Sequence, residues 1–194
     1  QMETMLRELL DYARLGQEEP SIEPVDIEKL LNETITLLEP PPSFDIQLEA
    51  PFPTMQGAAP LLALIFRNLV GNAIKHHHRA GGMIAIRAQD KDDRCEFFVS
   101  DDGPGIDAKM HRLIFEPFKK VDASTPGTGM GLAFVKRALE RAQGTIELVA
   151  SGPGRGTTFM VSLPRKPRIR SHAQPSTSAP ATASANASTV VQSV

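Results

Sequence analysis

Two stretches of this chain alternate apolar and polar residues on either side of a short polar turn, with helical stretches standing between them. Residues 83–89 and 94–100 flank the charged turn Lys91-Asp92-Asp93, and residues 145–150 and 157–163 flank Gly152-Pro153-Gly154. Each pair reads as a β-hairpin, which makes its two strands antiparallel. Phe44, Ile46 and Leu48 alternate with polar residues as a further strand. Few of these strands are apolar at every position, so the sheet is expected to bury one face and leave the other in water. Helical periodicity at 26–38, 60–77 and 131–143 supplies the cover. The expected fold class is an α/β sandwich (α+β): a mixed, mostly antiparallel sheet with helices packed on one face.

Local signals set the helix ends. Asp26 is placed to cap a helix running to about Leu38, with Ile27, Leu30, Leu31, Thr34, Leu37 and Leu38 on one face, and Pro40, Pro41 and Pro42 stop it. Pro60 opens the long second helix, and Gly81-Gly82 breaks it. A short helix is expected around residues 107–113, and Gly131 opens the last one. These elements place a globular domain at 20–164. Residues 1–19 are expected to form a separate helix, because Met2, Met5, Leu6, Leu9, Leu10 and Ala13 make an apolar stripe that ends at Gly16. A helix this short needs something to pack on, either a partner helix or its own domain. Residues 165–194 carry Arg165, Lys166, Arg168 and Arg170, then Ser, Thr, Ala and Pro with almost no large apolar side chain, which predicts a disordered low-complexity tail.

Composition narrows the function. The chain has 194 residues, 41% of them hydrophobic, and a net charge of −2. That is enough for one proper core, and it lacks the basic excess of a nucleic-acid binder, so no nucleic-acid partner is expected. A single cysteine, Cys95, fits a reducing, cytoplasmic compartment, whether or not the parent protein is membrane-anchored. No signal peptide is evident, and no apolar run approaches the roughly 20 residues of a membrane span. The chain opens mid-helix in character, as a piece of something longer would.

Within residues 66–81, FRNLVGNAIKHHHRAG, two asparagines stand four apart in an apolar run. At 100° per residue, Asn68, Asn72, Lys75 and His76 share one stripe, while Leu62, Phe66, Val70 and Ala73 occupy the opposite face. Asparagine is a poor helix former because its side chain competes for backbone hydrogen bonds. Two on one stripe therefore point to a ligand as readily as to solvent. Next comes VSDDGPGID at 99–107, a strand running into Asp101-x-Gly103-x-Gly105. Glycines there allow a sharp turn and the close approach of a flat ligand, and the carboxylate can accept from an exocyclic amine, although turns use such residues too. TPGTGMGLA at 125–133 then sets Gly127, Gly129 and Gly131 before a helix. Bared backbone N–H groups at a helix N-terminus make an anion site, with a flexible hinge as the plainer reading. Together the three segments offer amide oxygens for a metal, a cation for phosphate, an acid for a base amine and a phosphate cradle: a nucleotide–magnesium site.

With these residues assembled, the sequence resembles the catalytic and ATP-binding domain of bacterial sensor histidine kinases, a branch of the ATPase superfamily shared with DNA gyrase and MutL. NLVGNAIKHH resembles the N box, DDGPGI the first glycine box, IFEPFKK at 114–120 the F box, and GTGMGLAFVKRALERAQG the second glycine box. GRGTTFMVSLP at 154–164 resembles the closing strand. The resemblance covers about 22–164 and implies a Bergerat-type ATP-binding fold with ATP and Mg²⁺ as cofactors. It implies that Asn72 ligates Mg²⁺, that Asn68 supports it or the phosphates, and that Lys75 reaches the phosphates. His76 stands where the family often has an aromatic ring beside the nucleotide. Asp101 would accept from the adenine amine, with Gly103 and Gly105 giving the ring room and Ile106 beside them. Gly127, Gly129 and Gly131, with Thr128, Met130, Leu132 and Lys119, would line the triphosphate, and residues 119–128 would form a short ATP lid. Lys119 and Lys120 stand where many relatives carry arginine, which gives up bidentate geometry on phosphate.

The resemblance further implies ATP-dependent protein histidine kinase activity. The γ-phosphoryl group would pass to a histidine on a dimerisation and phosphotransfer domain of the same kinase, then to a response regulator receiver domain, within a homodimeric full-length protein. Residues 1–16 resemble the end of the second dimerisation helix. None of His76, His77, His78, His111 and His172 has the phosphoacceptor's acidic neighbour. A non-catalytic adenine-nucleotide-binding regulatory module is the main alternative. Three consecutive histidines do not converge on one metal ion from a helix, so His77 and His78 are expected at the surface or the helix end.

Overall fold

The computed structural model describes residues 21–120 and 127–167, together with Leu10. The expected helix at 1–19, most of the expected tail and the centre of the expected lid lie outside the described residues.

Among the described residues, seven strands and three α-helices follow in the order β1 (Glu23–Asp26), α1 (Ile27–Leu38), β2 (Phe44–Glu49), β3 (Thr54–Gly57), α2 (Ala59–Lys75), β4 (Gly82–Lys91), β5 (Arg94–Asp101), α3 (Gly131–Arg141), β6 (Thr145–Ser151) and β7 (Thr157–Pro164). Five strands form the main sheet in the order β2-β4-β5-β7-β6. β2 runs parallel to β4 and every other neighbour is antiparallel. This is the mixed, mostly antiparallel sheet that the hairpin patterns predict.

The alternation along the strands decides the layers. Ile84 and Ile86 of β4, Cys95, Phe97 and Val99 of β5, and Phe159, Val161 and Leu163 of β7 share one buried cluster with the helices. α2 lays Leu62, Ile65, Phe66, Leu69 and Val70 onto them, each at most 1% exposed. Phe66 meets Phe97 edge to face at 5.4 Å and 81°, a pairing that adds about 0.5–1.5 kcal/mol beyond area burial. On the far side of the sheet Phe98 is covered by the Arg87 guanidinium, 3.7 Å from the ring centroid.

Asp26 caps α1 by accepting from the Lys29 N–H at 3.0 Å, as the sequence predicts. The α1 face is narrower than expected: Leu37 is 80% exposed. On a helical wheel it falls about 80° from Ile27, at the stripe's edge, where the core no longer reaches. The first hairpin turns on Asp92-Asp93 alone, because Lys91 already pairs with Arg94. The expected short helix at 107–113 is instead two single 3₁₀ turns, Ala108–Met110 and Leu113–Phe115. The small β1–β3 sheet, pairing Glu23 with Gly57 through Asp26 with Thr54, is absent from the sequence reading. Arg165, assigned to the tail, is tied to the fold. It receives the Gln56 N–H at 3.2 Å, donates to Asp93 O at 2.9 Å and pairs with Asp90.

Candidate functional site

Three elements bound one cleft. α2 exposes its polar stripe toward the N-terminus of α3, and the end of β5 delivers the loop that begins at Asp101. The cleft measures about 760 Å³, within the range of small-ligand sites. Asn68, Asn72, Lys75, His76, Asp101, Gly105, Ile106 and Lys119 all line it, as do the five consecutive residues Gly127, Thr128, Gly129, Met130 and Gly131, and Leu132. Of the residues singled out in the sequence only Gly103 stands back, and its N–H donates to Asp101 Oδ1 at 2.9 Å. Asn72 and Asp101, far apart in the chain, thus face the same space.

The two asparagines differ. Asn68 Nδ2 donates to Leu64 O at 2.8 Å, which orients its oxygen outward. The Asn72 amide makes no hydrogen bond to any described residue. Gly131, at the start of α3, abuts both: a Cβ there would lie 3.2 Å from Asn68 Oδ1 and 3.2 Å from Asn72 Oδ1. Two amide oxygens therefore converge beside a helix N-terminus, where the macrodipole favours anions. Lys75, in the last turn of α2, sends its ammonium against Gly127, where a Cβ would collide with Nζ. Phe118 N–H donates to Gly129 O at 3.1 Å, which ties the two ends of the 119–128 segment together.

Asp101 ends β5, opposite Thr157 of β7. Burial pushes its carboxyl above the ordinary range, against the N–H bonds from Gly103 and Thr157 and the nearby His77, which pull it down. The loop that follows is held from the other side. Gly105 has φ +75, and a Cβ there would strike Gly152 O, so only glycine fits between this loop and the β6–β7 turn. Ile106 N–H donates to Ser151 Oγ at 2.7 Å and Gly154 N–H to Pro104 O at 2.7 Å, fixing the contact.

Sequence reasoning placed Thr157 only in a closing strand, yet it is buried and lines the cleft beside Asp101. The register of β5 on β7 is the signal that would have found it. Arg67 and Lys120 also line the cleft and add cationic charge. His77 stands at the helix end, just past the His76 cap, as one of the two expectations had it, but its side chain is turned inward with no exposed surface, Nε2 3.0 Å from Asp102 Oδ1. The sequence could not show this, because the partner lies 25 residues away across a hairpin. Among the described residues no group of three or more His, Cys, Asp or Glu could hold a metal ion.

Residues 57–167 match the family of histidine kinase-, DNA gyrase B-, and HSP90-like ATPases. The chain belongs to that family. The chain is 33% identical over 178 residues to the sensor-like histidine kinase SenX3 of Mycolicibacterium smegmatis, covering 87% of this chain and 46% of that protein. It is 30% identical over 168 residues to the phytochrome-like protein Cph1 of Synechocystis, covering 84% of this chain and 22% of that protein. Among solved structures, full-length ShkA in complex with AMPPNP superposes with a TM-score of 0.71 at 31% identity, covering 83% of this chain and 35% of that one. The chain thus spans less than half the length of each of these relatives. Within the family it falls with the sensor histidine kinases. Among the described residues no helix is long and apolar enough to cross a membrane.

The donor set suits a magnesium nucleotide. Mg²⁺ takes hard oxygen ligands and keeps several waters, so one amide oxygen such as that of Asn72 suffices beside phosphate oxygens. Lys75, Lys119, Lys120 and Arg67 supply positive charge for a polyphosphate in a protein whose net charge is −2.

Proposed function

We propose that this domain binds ATP with Mg²⁺ and donates the γ-phosphoryl group to a histidine on a dimerisation and phosphotransfer domain of the same kinase, for relay to a response regulator receiver domain. The observation that carries the reading is the meeting of the Asp101 carboxylate, the Asn72 side-chain amide and the Gly127–Gly131 loop around one cleft. In this reading Asp101 accepts from the 6-amino group of adenine, with Thr157 and Ile106 beside the base and His76 at its exposed edge. Asn72 holds Mg²⁺ and Asn68 supports it. Bound there, Mg²⁺ would supply positive charge against the phosphates.

Phosphoryl transfer asks chiefly for positioning and charge stabilisation. Lys75 and Lys119 bind the phosphates as point charges. The backbone N–H groups around Gly129 and Gly131 receive negative charge at the α3 N-terminus. Hydrophobic walls from Leu132, Met130 and Ile114 keep water from the base and ribose. The acceptor histidine and its proton acceptor come from the partner domain, and the parent protein works as a homodimer with its ATPase domain in the cytoplasm.

The test is to supply a separate dimerisation and phosphotransfer domain with ATP labelled at the γ position. Acid-labile label on its histidine, lost with Asn72→Ala, is the expected result. Tight ATP binding with no transfer to any supplied acceptor would refute kinase activity and make the domain a nucleotide-binding regulatory module.

A further inference from the structure

His77 has no part in the roles above, yet it is the most enclosed of the three consecutive histidines. Its Nε2 lies 3.0 Å from Asp102 Oδ1 and its Nδ1 lies 3.2 Å from Arg79 N. Nε2–H donates to Asp102, while Nδ1 sits between Arg79 N and, at 3.3 Å, Arg79 O. Arg79 closes the circuit, since Nη2 donates to Asp102 Oδ2 and to Asp102 O, both at 2.9 Å. Met83 N–H adds a 2.7 Å bond to Asp102 Oδ1. The ring is gripped on both sides, edge-on by Phe44 at 5.4 Å and stacked by His78 at 5.1 Å.

This network lies one residue from Asp101. A Cβ at Gly103 would sit 2.7 Å from Asp101 Oδ1 and 3.3 Å from His77 Cδ2, so the imidazole and the Asp101 carboxylate flank the same glycine. Neighbouring carboxylates disfavour each other's charge, and burial adds to the cost at Asp101. A donor and a guanidinium bound to Asp102 offset that repulsion. The titratable or charged groups around His77 are Asp101 and Asp102 at the end of β5, and His78 and Arg79 on its own segment.

We propose that His77, Arg79 and Asp102 form a clamp that sets the base selectivity of the cleft, with His77 as a positioning residue that holds the 101–103 turn so that Asp101 faces the ligand as an ionised acceptor. The proposal rests on Asp101 as the adenine acceptor. It adds that this selectivity depends on a histidine that lines the cleft yet commits both ring nitrogens to Asp102 and Arg79. His77 also stands among the groups that pull the Asp101 carboxyl downward, so its removal moves that carboxyl further up.

The experiment is calorimetric titration of the full chain with ADP and with IDP, which carries a carbonyl in place of the amine, from weakly acidic to weakly alkaline pH. Wild type is expected to prefer ADP and to lose that preference on acidification. His77→Ala should weaken ADP binding about tenfold, the scale of one hydrogen bond to a charged group, and change IDP binding less than about twofold. Its acid limb should move to higher pH. His77→Gln, whose amide reaches Asp102 Oδ1 as the imidazole does, should keep most of the preference. Arg79→Ala leaves no hole in the core, because that side chain is 55% exposed, and should shift selectivity the same way by less. It carries the test if circular dichroism shows that His77→Ala does not fold. ADP preference and pH profile unchanged in the variants, or equal loss of both nucleotides at every pH, overturns the clamp alone. A wild type that binds ADP and IDP alike overturns the Asp101 reading and the clamp with it.

Discussion

Replacing Asp101 with asparagine is the sharpest probe of the site, because it exchanges one oxygen for an NH₂ group. Asp101 Oδ1 already accepts from Gly103 N–H at 2.9 Å. An asparagine keeps its oxygen toward that donor, since turning its NH₂ to it would set donor against donor. The NH₂ then faces the cleft, where an adenine amine needs an acceptor. The loss is one hydrogen bond to a charged group, about 1.5–3 kcal/mol, or roughly 10- to 150-fold in affinity. Fold stability should not suffer. Burial raises the carboxyl's folded-state pKa above the unfolded value, so its charge costs stability at neutral pH. That cost is relieved as pH falls through the raised folded value, and the neutral amide removes it altogether. Calorimetric titration with ADP, paired with thermal melts, separates the two effects. Wild-type affinity should fall on acidification, starting above the ordinary aspartate range, and the variant's weak binding should be flat. An asparagine variant that binds ADP within about threefold of wild type would refute the reasoning, since no hydrogen bond to a charged acceptor is worth so little.

The other expectations concern separate parts of the molecule. Asn72→Ala should abolish the dependence of ADP binding on Mg²⁺, read by titration with the ion and with a chelator; an unchanged dependence would move the metal elsewhere. Phe66→Ala, which removes the ring packed on Phe97, should lower stability by about 3–5 kcal/mol in urea denaturation. The Cys95 thiol, pushed up to about 12 chiefly by burial and then by Asp90, should resist a thiol reagent at mildly alkaline pH and react once the chain is denatured.

What the sequence disclosed and what it withheld divide along the range of the interactions. The Asp26 cap, the hairpins and the buried and polar faces of α2 are local patterns, readable from spacing alone. The convergence of Asn72, Asp101 and Gly131 is not local; four motifs in a known order made it legible. Motif order said nothing of His77 and Asp102, because a helical wheel does not show what lies beyond the helix end. The β1–β3 pairing was invisible for a similar reason. Each strand has four residues, too few to alternate convincingly, and the partners stand 34 residues apart, Glu23 to Gly57. Leu37 shows the opposite error: the wheel put it on the apolar face, but the core under α1 is narrower than the stripe.

The bond from Phe118 N–H to Gly129 O fastens the stem of the segment between them independently of that segment's own length. The walls supplied by Asn68, Asn72, Asp101 and Gly131 lie outside this fastening, and doubling a loop's length adds only about 0.6 kcal/mol of closure entropy. Grafting a longer stretch at this point is therefore a route to altering how long a nucleotide stays, while its recognition at Asp101 is left alone.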